Sequence, residues 1–225
     1  MRHVFTIGGV EFDTQLTIVI ILGTILPMLD WYRHTPVGYL QDLLGVDWGF
    51  SLLEQKAWDR MIYYFLIPML TLFLFRENPI NFGFQFGKWP EGLMWTIVAC
   101  AGMTVILWFV ARSESMSSYY SVRTQANVLR EIYVTGLDLF SWEFIWRGFM
   151  LFAMAKVIGV GPAIWLQAVP FAFMHLNKPE IETLTTIFGG AAFGFIAWRT
   201  NSFVYPFLIH WYIASFTKLI TMGVF

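Results

Sequence analysis

Charged residues are scarce in this sequence. Only 13% of its 225 residues are Asp, Glu, Lys or Arg, whereas a typical soluble domain has about 25%. Apolar residues make up 57% and aromatic residues 19%, so there is too little polar surface to cover a globule in water. The formal net charge of −1 gives no basic excess for phosphates, and the composition therefore argues against nucleic-acid binding.

Cysteine is nearly absent as well. The single thiol, Cys100, excludes an internal disulfide and a cysteine-only metal site, and it leaves the redox compartment open. A cleavable signal peptide is not expected either, because Glu11 and Asp13 precede the first long apolar run.

Long apolar runs, by contrast, are abundant. A helix of about 20 residues crosses a bilayer, and the sequence has seven candidate runs. They cover residues 16–29, 61–75, 93–110, 132–158, 162–176, 184–198 and 203–224. The connections are short and leave no room for a large extramembrane domain. We therefore predict an all-α fold, a single integral membrane domain over residues 1–225 built as a bundle of about seven transmembrane helices.

Two local patterns add detail to this bundle. Gly190 and Gly194 in the sixth run form a GxxxG pattern, which lets two helices approach closely. The polar stretch 112–130 predicts a surface loop or a helix at the membrane interface.

The second half of the chain carries the titratable residues of interest. Glu143 and Arg147 are four residues apart in the fourth run and thus share a helical face. A charge in the middle of a membrane helix costs about 2.5–3.5 kcal/mol and is usually paired or functional. The pair alone is compatible with simple helix packing. His175 and His210 in later runs favour chemistry, since a carboxylate and two imidazoles supply a base, a proton partner and an oxyanion donor.

The order of these residues resembles the CPBP family, which includes type II CAAX prenyl endopeptidases and lysostaphin-resistance-A-like proteins. The resemblance covers a CPBP-like core, residues 131–216, and rests on Glu143-x-x-x-Arg147, Phe171-x-x-x-His175 and His210. It implies a glutamic-type intramembrane endopeptidase in a prokaryotic inner membrane. The substrate would be a membrane-associated or C-terminally processed protein or peptide, and the catalytic residues would be Glu143, His175 and His210.

The sequence departs from the family pattern at two positions. Trp142 stands where the first motif usually has another glutamate, and Ala214 stands where the third motif usually has Asn or Asp. Glu143 must therefore act alone or with another acid. Glu182 is the candidate for that supporting acid, because Asp138 lies about 140° around the helix from Glu143.

Metal-free hydrolysis is the mechanism that we favour from the sequence. Glu143 would take a proton from a water molecule held by His175, while His210 donates to the carbonyl oxygen and Arg147 supports the base. Zinc bound by Glu143, His175 and His210 is the alternative, although no HExxH spacing supports it. Two other classes stay open: a catalytically silent scaffold or immunity-type protein, and a small transporter, for which no internal repeat is visible.

Overall fold

The computed structural model describes residues 4–124 and 127–225. Most of this part of the chain is helical. The α-helices are α1 (Thr14–Trp31), α2 (Pro36–Leu44), α3 (Leu52–Arg60), α4 (Ile67–Leu74), α5 (Trp89–Val110), α6 (Glu114–Ser121), α7 (Val128–Glu143), α8 (Leu151–Ile158), α9 (Val160–Phe173), α10 (Glu180–Thr200) and α11 (Val204–Thr221). Single π-helical segments, Met61–Leu66 and Phe144–Met150, join α3 to α4 and α7 to α8, and a 3₁₀ turn covers Pro79–Phe82.

The predicted all-α bundle is confirmed, and each of the seven apolar runs forms a helix or most of one. Four helices within the described residues are long and apolar enough to cross a membrane: Thr14–Trp31, Leu52–Leu74, Trp89–Val110 and Glu180–Thr200. The remaining runs give helices that are shorter or more polar, because α9 has 14 residues and α7 contains several charged side chains.

A β-hairpin precedes α1, and we did not predict it. Strands β1 (Val4–Ile7) and β2 (Val10–Asp13) pair antiparallel. Gly8 and Gly9 connect them with φ values of 59° and 81°, the positive dihedrals that a tight two-residue hairpin turn requires. Asp13 then caps α1 by accepting a hydrogen bond from the backbone of Leu16 at 2.9 Å.

The core lies along the continuous helix formed by α7, its π segment and α8. Every residue from 141 to 154 is buried there. Helices α9 and α10 lie beside it and pack closely against each other through the GxxxG pattern, since a Cβ atom at Gly190 would lie 3.0 Å from the Cβ of Ala168. Gly194 similarly makes room for the side chain of Gln167.

The polar stretch 112–130, for which the sequence predicts a surface loop or an interfacial helix, contains the short helix α6. Residues 125 and 126 of that stretch lie outside the described residues.

Candidate active site

Glu143 and Arg147 lie in the middle of the buried helix, and neither is accessible to solvent. Arg147 Nη1 donates to Glu143 Oε1 at 3.3 Å, and Arg147 Nε lies 3.3 Å from Oε2. Helix α11 adds His210, whose Nδ1 is 2.6 Å from the same Oε1. An ionised carboxylate only accepts hydrogen bonds, so Nδ1 carries the proton and Nε2 is left for another partner.

Arg147 is held by groups from two further helices. Its Nη2 donates to the backbone oxygen of Gly190 at 3.3 Å, and its guanidinium carbon lies 3.9 Å from the centre of the Phe171 ring. Gln167 donates to the same Gly190 oxygen at 2.9 Å. Helices α9 and α10 thus fix the arginine that compensates the buried charge of Glu143.

His175 lies in the turn between α9 and α10 and is only 4% exposed. Its Nδ1 is 2.8 Å from the backbone oxygen of Phe171. Because a carbonyl oxygen accepts, Nδ1 donates and Nε2 of the neutral ring is an acceptor. Burial lowers the pKa of His175 well below its usual value near 6.5. The imidazole is therefore neutral at pH 7, with Nε2 as its hydrogen-bond acceptor.

A cavity of about 520 Å³ brings the two histidines together. His175 and His210 both line it, together with Trp142 and Ala214, whereas Glu143 does not. Trp142 and Asp138, four residues apart on α7, occupy the face of that helix at the cavity, and Glu143 is turned about 100° from Trp142. Glu143 therefore reaches the cavity through His210, not by the direct contact with water that we expected.

Glu182 has other partners than the one we expected for it. Its two carboxylate oxygens accept from the hydroxyl of Tyr120 at 2.9 and 2.7 Å, and Lys178 Nζ lies 2.6 Å from Oε1. The link to His175 is made instead by Thr183, which donates to the backbone oxygen of His175 at 2.8 Å. Glu182 thus contacts Tyr120 and Lys178, which line the cavity, but it does not line the cavity itself.

A further ion-pair cluster at the cavity was not predicted from the sequence. Arg60 of α3 donates to Asp30 of α1 at 2.9 Å and to both oxygens of Asp138 at 2.9 and 3.0 Å. Its guanidinium carbon lies 4.6 Å from the ring centre of Trp142. In the sequence, the only sign of this cluster is that Asp30 and Arg60 border apolar runs and that Asp138 interrupts one.

Glu143, His175 and His210 are not grouped as three ligands of one zinc ion. In the parts of the chain that the structure describes, no three His, Cys, Asp or Glu side chains are grouped so that they could hold a metal ion. The Nδ1 atom of His210 and a carboxylate oxygen of Glu143 face each other at hydrogen-bond distance, which is not the geometry of an open site with two histidines and one carboxylate.

The family model described as type II CAAX prenyl endopeptidase Rce1-like matches residues 124–216. Residues 124–216 are thus similar to the Rce1-like family. This segment covers less than half of the chain but contains Glu143, His175 and His210. No curated protein and no solved structure matches the chain.

The match over residues 124–216 and the four long apolar helices of the described residues indicate an integral membrane protein whose second half is similar to a protease family. The predicted resemblance to the CPBP and CAAX-protease group is thereby confirmed over this segment.

Proposed function

We propose that the chain is an intramembrane endopeptidase that hydrolyses a peptide bond in a membrane-associated or C-terminally processed protein or peptide of a prokaryotic inner membrane. One observation carries the proposal: His175 and His210 line the same cavity, and the buried carboxylate of Glu143 is bound to the second of them at 2.6 Å. Three distant parts of the sequence thus meet around one space that a peptide carbonyl can enter.

The first chemical step uses His175. Its ring is neutral, and the hydrogen bond from Nδ1 to Phe171 leaves Nε2 as the acceptor. Nε2 takes a proton from a water molecule, and the water oxygen forms a bond to the carbonyl carbon of the substrate. When the tetrahedral intermediate collapses, His175 returns that proton to the leaving nitrogen.

His210 stabilises the negative charge that forms on the carbonyl oxygen. Glu143 Oε1 is 2.6 Å from Nδ1 and accepts from it, and in the doubly protonated ring Nε2–H donates to the oxyanion. Arg147 offsets the remaining charge of the carboxylate. Glu143 is thus a positioning and charge-stabilising residue that acts through His210. This role modifies the one expected from the sequence.

The variant Glu143→Gln tests this proposal. The amide is nearly isosteric but does not stabilise an imidazolium, so we expect cleavage to fall by about 10²–10³-fold, as for loss of an oxyanion donor. New protein termini are compared in membranes from cells with the natural protein, the variant and no protein. Glu91→Gln, which alters an ion pair with Arg199 on the surface, is the control and should cleave normally. Full cleavage by Glu143→Gln would exclude this role.

Zinc analysis of the purified protein checks the metal alternative. The proposed mechanism predicts activity that is insensitive to chelators. Stoichiometric zinc, together with activity that a chelator abolishes and zinc restores, would replace this mechanism by a metal-dependent one.

A catalytically silent scaffold is the second candidate. It is favoured by Trp142 and Ala214, which both line the cavity at positions where the family pattern usually has Glu and Asn or Asp. A scaffold would bind a peptide without releasing product. Its diagnostic result is an inactive natural protein that gains cleavage when Trp142→Glu supplies a carboxylate at the cavity.

A further inference from the structure

The cavity shared by His175 and His210 has more cationic than anionic side chains. Its carboxylates are Asp30 and Asp138. Its cations are Arg33, Lys56, Arg60, Arg123, Lys178 and Lys218. The space therefore lies in an excess of positive charge, which favours an anionic occupant.

Half of these cations are compensated by the protein itself. The pairs are Arg60 with Asp30 and Asp138, Lys178 with Glu182, and Lys218 with Glu131. Each of the four carboxylates in these pairs lies 2.5–2.9 Å from its cation. In the described part of the chain, none of them forms an ion pair with one of the other three cations of the cavity.

The other three cations form no ion pair with a carboxylate of the described residues, and we refer to Arg33, Lys56 and Arg123 as the outer cations. Arg33 follows the end of α1, Lys56 lies on α3, and Arg123 follows α6 with its guanidinium carbon 4.0 Å from the ring centre of Tyr119. All three are exposed to solvent. Separate elements thus place at one cavity three cations that form no ion pair within the described residues.

We propose that the outer cations bind a carboxylate of the substrate peptide, either an Asp or Glu side chain or the free C-terminal carboxylate. Guanidinium and ammonium groups form charge-assisted hydrogen bonds with carboxylates. Such a contact would anchor an anionic residue at the cavity while the adjoining backbone reaches His175 and His210. The cleavage part of this inference rests on the proposed function, but the binding part does not.

Direct binding of synthetic peptides tests the inference. The full-length protein is placed in nanodiscs of neutral phosphatidylcholine, and the dissociation constants of three fluorescent peptides are measured. One has a Glu and a free C-terminus, one has Gln in place of Glu, and one keeps Glu but has an amidated C-terminus. We expect the Gln or the amidated peptide to bind about tenfold more weakly, and rising salt to reduce the difference. Equal binding of all three would overturn the proposal.

Charge-removing variants connect this preference to the outer cations. Lys56→Gln and Arg33→Gln should each weaken binding of the preferred peptide by about three- to tenfold. The chain offers matched controls away from the cavity. Arg76 also follows a helix in the left-handed conformation, with φ of 55° against 58° for Arg33, and Lys88 is likewise exposed. Arg76→Gln and Lys88→Gln should bind normally, and equal losses in both sets would contradict the assignment.

Cleavage of the same peptides separates this inference from the proposed function. Carboxylate-dependent binding without product would support the anionic site and refute the protease. Product formed at equal rates from all three peptides would support the protease and refute the anionic site.

Nanodiscs with anionic phosphatidylglycerol test whether the outer cations bind a lipid headgroup instead. If the variants change only the response to this lipid, and not peptide binding, the cations serve a headgroup and the proposal fails.

Discussion

Helix α5 and the continuous helix from α7 to α8 differ in two properties, their charge and their burial. Between Gly92 and Val110, α5 has no charged residue, and only Gly92 and Leu107 of the whole helix are buried. The α7–α8 helix is buried without interruption from residue 141 to residue 154 and contains Glu143 and Arg147. High hydropathy thus identifies α5, whose surface is mostly exposed. The α7–α8 helix is surrounded by protein, where charged side chains can be paired and can take part in catalysis.

The largest expected effect comes from breaking the buried ion pair. Arg147→Ala leaves Glu143 with the hydrogen bond to His210 but without its compensating cation, which costs about 3–5 kcal/mol of stability. We expect little folded protein in membranes and a strongly lowered thermal unfolding midpoint. Arg199→Ala is the control, because its pair with Glu91 is partly exposed and is worth at most about 1 kcal/mol. Similar losses of stability in both variants would show that the buried ion pair contributes no more to stability than the partly exposed one.

A charge placed in α5 tests the other side of the comparison. Gly102 is near the middle of this helix, is exposed, and has open space where a Cβ atom would stand. Gly102→Lys should therefore cost about 2.5–3.5 kcal/mol in membrane insertion, measured as the inserted fraction of the newly made protein. Gly102→Leu has a side chain of similar bulk without charge and should insert normally. Normal insertion of the lysine variant would mean that this face of α5 does not meet lipid.

A smaller effect is expected where α10 packs against α9. A Cβ atom at Gly190 would lie 3.0 Å from atoms of Ala168 and Phe171, whereas at the neighbouring Gly189 it would meet nothing within 4 Å. Gly189→Ala should gain up to about 1 kcal/mol from helix propensity. Gly190→Ala should lose that gain to overpacking of about 1–3 kcal/mol. Thermal unfolding midpoints compare the two, and equal midpoints would contradict the close packing.

The lipid-facing half of this comparison was largely predictable from the sequence. Apolar runs give helices because the backbone must satisfy its own hydrogen bonds in lipid, and the spacing of Glu143 and Arg147 places them on one face. The hairpin was missed although Gly8-Gly9 is a typical two-residue turn signal. The alternation of apolar residues around it was too short to stand out.

The buried half was less predictable, because it depends on contacts between distant residues. Arg60 and Asp138 are 78 positions apart, and Lys218 and Glu131 are 87 apart, so no local pattern connects them. The sequence predicts part of the orientation of Trp142, because this residue lies four positions after Asp138 and therefore on the same face of the helix. That this face borders a cavity, and that Glu143 lies behind His210, follows only from the packing of α7 against α11.

The smallest expected effect is a pH dependence of stability at His175. Burial lowers the pKa of this histidine in the folded protein, while in the unfolded chain it titrates near 6.5. The unfolded state therefore binds more protons below pH 6.5, and the free energy of unfolding should fall with decreasing pH, by at most about 1.4 kcal/mol per pH unit. Above pH 6.5 this contribution is fully present, and it is lost as the pH approaches the lowered folded-state pKa.

The measurement is the thermal unfolding midpoint between pH 7.5 and 5, for the natural protein and for His175→Asn. The asparagine variant lacks the titrating group, so its midpoint should depend less on pH even if it is lower throughout. His34 is an exposed histidine, and His34→Asn should keep the slope of the natural protein. Identical slopes for the natural protein and His175→Asn would mean that this imidazole is not buried in its neutral form. The division between a lipid-facing half and a chemically active buried half would then fail at its most specific point.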